Sequence, residues 1–434
     1  MHFNKDITGE FPRGLQFMSN LKSVSLHHNS LTGVIPEWIG DLTGLRTMTL
    51  GDNMFEGDVP ASMLRLSNLE FLALDDNQGL TGNVQLFNTM TKLEVLYLEG
   101  NAFDGNIGGM LEAMPNLVEF DISNNMMDGE IPLALFNHKA LSIVDMHNNE
   151  FAGEIPNDIS ENPNLEFLSL YKNLLTGDIP ERIRHLEDVL HLDLSFNKLI
   201  GTPDNLGTLT QLQYLQISGN NFTSNSLQDI DFSQLTSLRE LAMKDNNLKG
   251  ALPDWLGEFT DLRTLDLDAN QLTGAIPSWI GNLQGLDHLL LNRNNLDGTL
   301  PLAMGTLKDL DVLLLDGNSF SGTADIVCSN VKPQYFISDC EPAVVNETAE
   351  FTCECCTRCC VDGDTECNNL AWTSNLDPIW EYGHNRASYV FSGANAPVEY
   401  SKFPDVSGPG GPGALDPDPT VDPAATVAPG AVRP

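Results

Sequence analysis

The sequence predicts a solenoid: stacked coils with one long parallel β-sheet on the concave side, irregular or 3-10 segments on the convex side, and a disulfide-rich cap at the C-terminal end. Thirteen asparagines recur at Asn29, Asn53, Asn77, Asn101, Asn125, Asn149, Asn173, Asn197, Asn220, Asn246, Asn270, Asn294 and Asn318, and ten of the twelve intervals are 24 residues. The same apolar frame precedes each, as Leu21, Val24 and Leu26 before Asn29, or Leu262, Leu265 and Leu267 before Asn270. All 8 cysteines fall after the last of these units. A fixed period in this range is the mark of an architecture in which each coil buries its apolar residues against its neighbours, so no single globular core is needed.

Within a unit, the alternating run before the asparagine reads as a strand, with Leu265 and Leu267 pointing inward and Asp266 outward. Stacking then gives thirteen strands about 4.8 Å apart, a sheet roughly 60 Å long along its arc. In the turn that follows, backbone groups leave the ladder and need partners. A buried amide offers both NH₂ and C=O to them, which explains a periodic asparagine. On this reading Asn149→Ala costs stability, whereas changes at the solvent-facing Asn148 are expected to be nearly silent. Gly33, Gly57, Gly129, Gly153, Gly177, Gly250, Gly274 and Gly298 share one slot, where a missing Cβ permits positive φ or close approach of coils. The proline three residues later cannot continue a ladder and suits the convex side.

The frame L-x-x-L-x-L-x-x-N-x-L is that of the leucine-rich repeat, so the expected fold is an α/β-type horseshoe. The continuation L-x-G-x-[IVL]-P, as in Leu31 to Pro36 or Leu272 to Pro277, resembles the plant-type repeat of receptor-like proteins. Three segments are expected: repeats over 1–327 (13 full units plus a partial N-terminal one), a cysteine-rich cap over 328–403, and a Pro/Gly/Ala-rich disordered tail over 404–434. Because Ile7 to Pro12 already reads as the back half of a unit, with no signal sequence before it, a truncated N-terminus is expected.

Cys328, Cys340, Cys353, Cys355, Cys356, Cys359, Cys360 and Cys367 form an even set in one short non-repetitive segment, which predicts bridges stapling the end of the stack in an oxidising compartment. Thiolates at this spacing also suit zinc or copper. Adjacent cysteine pairs, the absence of nearby histidines and the sequon at Asn346 favour disulfides; the spacing leaves their connectivity open. A second glycosylation sequon, Asn221-Phe-Thr, lies in the one unit stretched to 26 residues, where a bulge would expose it.

Asp339-Cys340, then Cys353-x-Cys355-Cys356-Thr-x-Cys359-Cys360, then Leu376-Asp-Pro-Ile-Trp-Glu-Tyr382 resembles the C-terminal module of leucine-rich-repeat receptor-like proteins of diatoms. The resemblance implies a membrane span upstream of the repeats, which this chain does not show.

With 60 acidic against 22 basic residues and a net charge of −38, nucleic acid and anionic membrane surfaces are excluded as partners. No run of ~18 apolar residues is present to span a bilayer. No kinase motif and no constellation of acid, base and nucleophile is visible, so neither an enzyme nor a cofactor is expected. His27, His28, His147, His191 and His288 read as ordinary surface, and Trp38, Trp255 and Trp279 as core packing rather than ligand stacking.

Outward strand positions carry no folding duty and are expected to face the concave groove. Phe71, Tyr97, Asp121, Asp145, Phe167, His191, Asp193 and Tyr214 make its middle aromatic and acidic, and Leu290 and Leu314 form an exposed apolar pair near the cap. The expected function is that of an extracellular receptor-like ectodomain, on the cell surface or secreted, binding a protein, peptide or glycan there. The alternative is a secreted cell-wall, matrix or inhibitor protein with no signalling role. On this reading, serine at Tyr97 and Phe167 removes binding without loss of stability.

Overall fold

The computed structural model describes residues 7–159, 164–222, 226–340 and 351–360. Its spine is a 15-stranded parallel sheet in which sequential coils are hydrogen-bonded neighbours. Pairing keeps one register: Phe71, Val95, Glu119, Ile143, Phe167, His191, Tyr214 and Glu240 lie in line, and so do Ala73, Tyr97, Asp121, Asp145, Ser169, Asp193 and Gln216. Leu72, Leu96, Phe120, Val144, Leu168, Leu192 and Leu215, the residues between those two rows, are fully buried in a core cluster that runs from Phe11 to Phe351. Thirteen strands come from the repeats, as expected. The cap supplies the other two, Tyr335–Ser338 and Arg358–Cys359.

The asparagine ladder has the predicted chemistry. Asn149 Nδ2 donates to the carbonyls of Met146 and His147 in its own coil at 3.2 Å each, and to Ile122 of the preceding coil at 2.9 Å. Its Oδ1 accepts the amide of Met127 at 2.9 Å. Asn173 and Asn270 repeat the pattern with their own neighbours. Each side chain thus satisfies groups from two coils that the strand ladder cannot reach.

A second row of short parallel strands, not expected from the sequence, runs along the segment after the asparagine. It comprises a 6-stranded sheet from Thr8–Gly9 to Met126–Met127, a 3-stranded sheet from Ala152–Glu154 to Lys198–Ile200, and a 4-stranded sheet from Lys249–Gly250 to Ser319–Phe320. Strands of two to five residues, most of them with a glycine inside, carry too little alternation to be read directly. A glycine ends several of them, as at Gly33, Gly250, Gly274 and Gly298. Gly177 has φ +78°, and a Cβ there would lie 2.8 Å from Glu154 Cγ, so both reasons given for glycine apply at once. Among the described residues the row is interrupted between Ile200 and Lys249, where the intervals of 23 and 26 residues break the period.

Past the strands, proline fixes φ at the entry to 3-10 turns: Pro36 before Glu37–Asp41, Pro60 before Ala61–Arg65, Pro277 before Ser278–Asn282. Neighbouring turns pack so closely that a Cβ on Gly40 would stand 2.2 Å from the Ser62 carbonyl oxygen. Trp38, Trp255 and Trp279 pack against the core, as expected, with Trp38 edge-on to Phe11 at 5.5 Å.

The cap continues the solenoid. Helix Asp325–Asn330 crosses the expected 327/328 boundary, and Cys328 within it is bonded to Cys355. Cys340 is bonded to Cys359 and Cys353 to Cys356, while Cys360 is also disulfide-bonded. Among the described residues, six of the sulfurs weighed as metal ligands are therefore joined in three pairs. Cys367, Asn346 and the tail over 404–434 lie outside the described residues. Among the described residues, no helix is long and apolar enough to cross a membrane.

Candidate ligand-binding face

The register of the long sheet brings the proposed binding residues together on one face, opposite the buried apolar residue in the middle of each strand. Their exposure differs from expectation. Phe71, Tyr97, Asp121, Asp145, Phe167, His191 and Asp193 are each 5 % exposed or less, and only Tyr214 is half-buried. Part of the reason is lateral: strands this close let side chains of one row touch. Phe71 meets Tyr97 edge-on at 5.7 Å, and Phe167 stacks on His191 at 4.4 Å with Tyr214 on the other side of the imidazole at 5.6 Å. Leu290 and Leu314, read as an exposed pair, are likewise buried.

Burial corrects the reading of the histidines too. His27, His147 and His191 are buried, not surface residues. His27 Nδ1 lies 3.0 Å from Thr49 Oγ1, and His147 Nδ1 lies 2.6 Å from Asp145 Oδ1. His191 is different. Neither ring nitrogen has a hydrogen-bond partner among the described residues, and burial depresses its pKa to about 4, with Asp145 pulling weakly the other way.

The carboxylates are held by their own coils. Asp121 Oδ1 accepts the Ser123 amide at 3.0 Å and its hydroxyl at 2.8 Å, and Asp193 Oδ1 accepts the Ser195 amide at 2.8 Å. The Tyr97 hydroxyl donates to Glu119. Burial, and next the Glu119 charge, pushes the Tyr97 pKa well up; burial also raises that of Glu119, against the bond from Tyr97. The face thus offers fixed carboxylates and rings.

One row escaped the sequence reading. The residue just before the ladder asparagine is left-handed in coil after coil: His28, Asp52, Asp76, Asn124, Asn148, Lys172, Phe196, Asp245, Ala269 and Arg293 have φ between +48° and +54°. Glycine at 100, 219 and 317 in the same slot was the available signal. This row edges the sheet, and Asp76, Asn148, Lys172 and Asp245 are exposed. Lys172 Nζ lies 5.1 Å from the Tyr171 ring centroid and Lys244 Nζ 5.6 Å from that of Phe196, a cationic and aromatic patch beside the acidic one.

Asn221 is exposed in the gap of the second strand row, held by its amide donating to the Leu199 carbonyl at 2.8 Å, with Phe222 buried beside it.

Comparison with known proteins agrees with the architecture. Residues 19–78 and 260–320, and separately 164–186, match families described as leucine-rich repeat. No curated protein matches the chain by sequence. Among solved structures, the chain is similar to PEPR1 in its crystal structure with AtPEP1, at 32% identity and TM-score 0.68 over 75% of this chain and 45% of that one. It is similar to the plant peptide hormone receptor RGFR1 in complex with RGF2, at 28% identity and TM-score 0.65 over 80% and 58%. A third is the Arabidopsis receptor kinase HAESA in complex with the peptide hormone IDA and the co-receptor SERK1, at 28% identity and TM-score 0.63 over 82% and 65%. The chain spans less than two thirds of each.

Proposed function

We propose that this chain is an extracellular, receptor-like leucine-rich-repeat ectodomain that binds a basic peptide, or a basic segment of a protein, along the sheet face between Phe71 and Tyr214. The observation that carries it is the division of labour within each strand. The middle residue alone fills the core, yet seven consecutive coils place aromatic rings or carboxylates on the opposite face, held by neighbours in defined geometry. Rings give contact area at little conformational cost, and Asp121, Asp145 and Asp193 set the sign of charge preferred. The peptide complexes named in two of the similar structures support a peptide over a glycan. Cap disulfides and an exposed sequon asparagine support an oxidising, extracellular setting.

The competing account is that the acidic row reflects the charge of the whole protein. Asp121→Asn/Asp193→Asn on the face and Asp178→Asn/Asp204→Asn on exposed positions off it remove the same charge. Binding of a panel of basic peptides, read by fluorescence anisotropy at constant salt, should weaken at least about tenfold with the face pair, the equivalent of 1.4 kcal/mol. It should hardly change with the other. Equal weakening would leave only overall charge.

A further inference from the structure

The three described bridges of the cap are not equivalent. Cys328–Cys355 ties helix Asp325–Asn330 to the terminal segment over a separation of 27 residues, and Cys340–Cys359 ties the end of strand Tyr335–Ser338 to strand Arg358–Cys359 over 19. Each joins elements that must stay in register for the last coils to be covered. Cys353–Cys356 spans 3 residues and lies wholly within the loop closed by Cys340–Cys359. Cross-link stabilisation grows with the logarithm of the loop closed, so this bridge adds least to the fold, and the two longer ones keep the segment in place without it. Cys353 and Cys356 are partly buried, as are the other four cysteines of these bridges, with Glu354 and Thr357 beside them exposed, so loop length and not exposure sets this bridge apart.

We propose that Cys353–Cys356 is a reversible dithiol–disulfide exchange site carried on an otherwise structural cap, with a dithiol reductant as its co-reactant. A thiolate of the reductant attacks one of the two sulfurs, forming a mixed disulfide and releasing the other as thiolate. The second thiol of the reductant then closes its own disulfide and frees the first. The protein gains two electrons and two protons as Cys353 and Cys356 thiols; the reductant loses both. The reverse exchange, with the disulfide form of the same co-reactant as the oxidant, returns both electrons and restores the bridge, while Cys340–Cys359 holds the two cysteines near each other throughout.

The test is stepwise reduction of the folded chain with dithiothreitol. The sulfurs of Cys328, Cys353 and Cys355 lie within 4.8 Å of one another, so the reaction is stopped in mild acid and trapped with maleimide to prevent shuffling. Peptide mapping should find the first two labels on Cys353 and Cys356, with the melting temperature of that species unchanged within about 2 °C. First labels on Cys328 and Cys355, on Cys340 and Cys359, or on Cys360 would overturn the assignment, as would simultaneous labelling of all the bridged cysteines. The double variant Cys353→Ser/Cys356→Ser should take up no label under the conditions that label the wild type while keeping both longer bridges. A variant that loses its native melting transition would assign the bridge a structural role and end the proposal.

Discussion

Asn149→Ala is expected to lower stability by about 3 kcal/mol, the upper end of the range for leaving a buried hydrogen-bonding group unmet. The side chain serves four backbone groups: three carbonyls, at Ile122, Met146 and His147, and the amide of Met127. None of them moves to water when the amide is removed, since all lie between coils. Asn149→Asp should cost a comparable amount, because a carboxylate can accept from Met127 but cannot donate to three carbonyls. Asn148 next to it gives the control, and the structure revises what that control should show. Its φ is +52°, and its Nδ2 donates to Asn124 Oδ1 in an exposed position. Alanine there meets left-handed backbone strain of roughly 1 kcal/mol, so Asn148→Ala is not silent, whereas Asn148→Gly should be. Urea denaturation of the three variants should rank them Asn149→Ala well below Asn148→Ala, with Asn148→Gly at wild type. Similar midpoints for the two alanine variants would mean that the ladder amide is not the buried partner it is taken to be.

The contrast between those neighbours also marks what the sequence could and could not disclose. The ladder was legible because its period and the donor count of asparagine point to one answer: only a group with both NH₂ and C=O fits a turn where donors and acceptors are both left over. The inward leucines and the entry of proline into the convex turns were legible for the same reason, as local chemistry repeated along the chain. The second strand row was not, because strands as short as Lys249–Gly250 leave no alternation to read. For the candidate site, register was legible and environment was not. The two-residue period places Tyr97 and Phe167 on the outward face, but says nothing of what covers them there. With Tyr97 bonded to Glu119 and Phe167 stacked on His191, serine at either position removes a buried contact, so those substitutions test stability as much as binding. The aromatic and lysine pairs at Tyr171, Lys172, Phe196 and Lys244 went unread because the left-handed slot that orients two of them was not recognised. The bridge pattern of the cap was open in principle, since several connectivities share one set of spacings.

Asp316→Asn is expected to stabilise the protein above pH 7 and to leave it unchanged near pH 4. Asp316 is buried at the end of the long sheet beside the cap. Burial is the main reason its pKa is raised from 3.8 to about 7, and the neighbouring charge of Asp339 adds to it; Arg293 opposes only weakly, being engaged with Asp268. The folded state therefore holds the proton more tightly than the unfolded chain. Its contribution is complete below pH 3.8 and is lost as pH rises through about 7; at about 1.4 kcal/mol per pH unit the interval corresponds to about 4 kcal/mol. Asparagine keeps the shape of a protonated aspartate and has no proton to lose. The wild-type pH profile alone will not reveal this, because His191 runs the other way. Its pKa falls from 6.5 to about 4, so the unfolded chain is the better proton binder and stability is complete above 6.5 and lost toward 4, a change of about 3 kcal/mol. Two opposed slopes over nearly the same window flatten their sum. Differences from wild type separate them: the advantage of Asp316→Asn should grow from pH 4 to pH 8. His191→Phe, which keeps a ring beside Phe167 but cannot be protonated, should be most favourable at pH 4 and lose its advantage by pH 7. Denaturation midpoints at half-unit steps would show the two difference curves crossing. Curves that stay parallel to the wild-type profile would mean that neither group changes its proton affinity on folding.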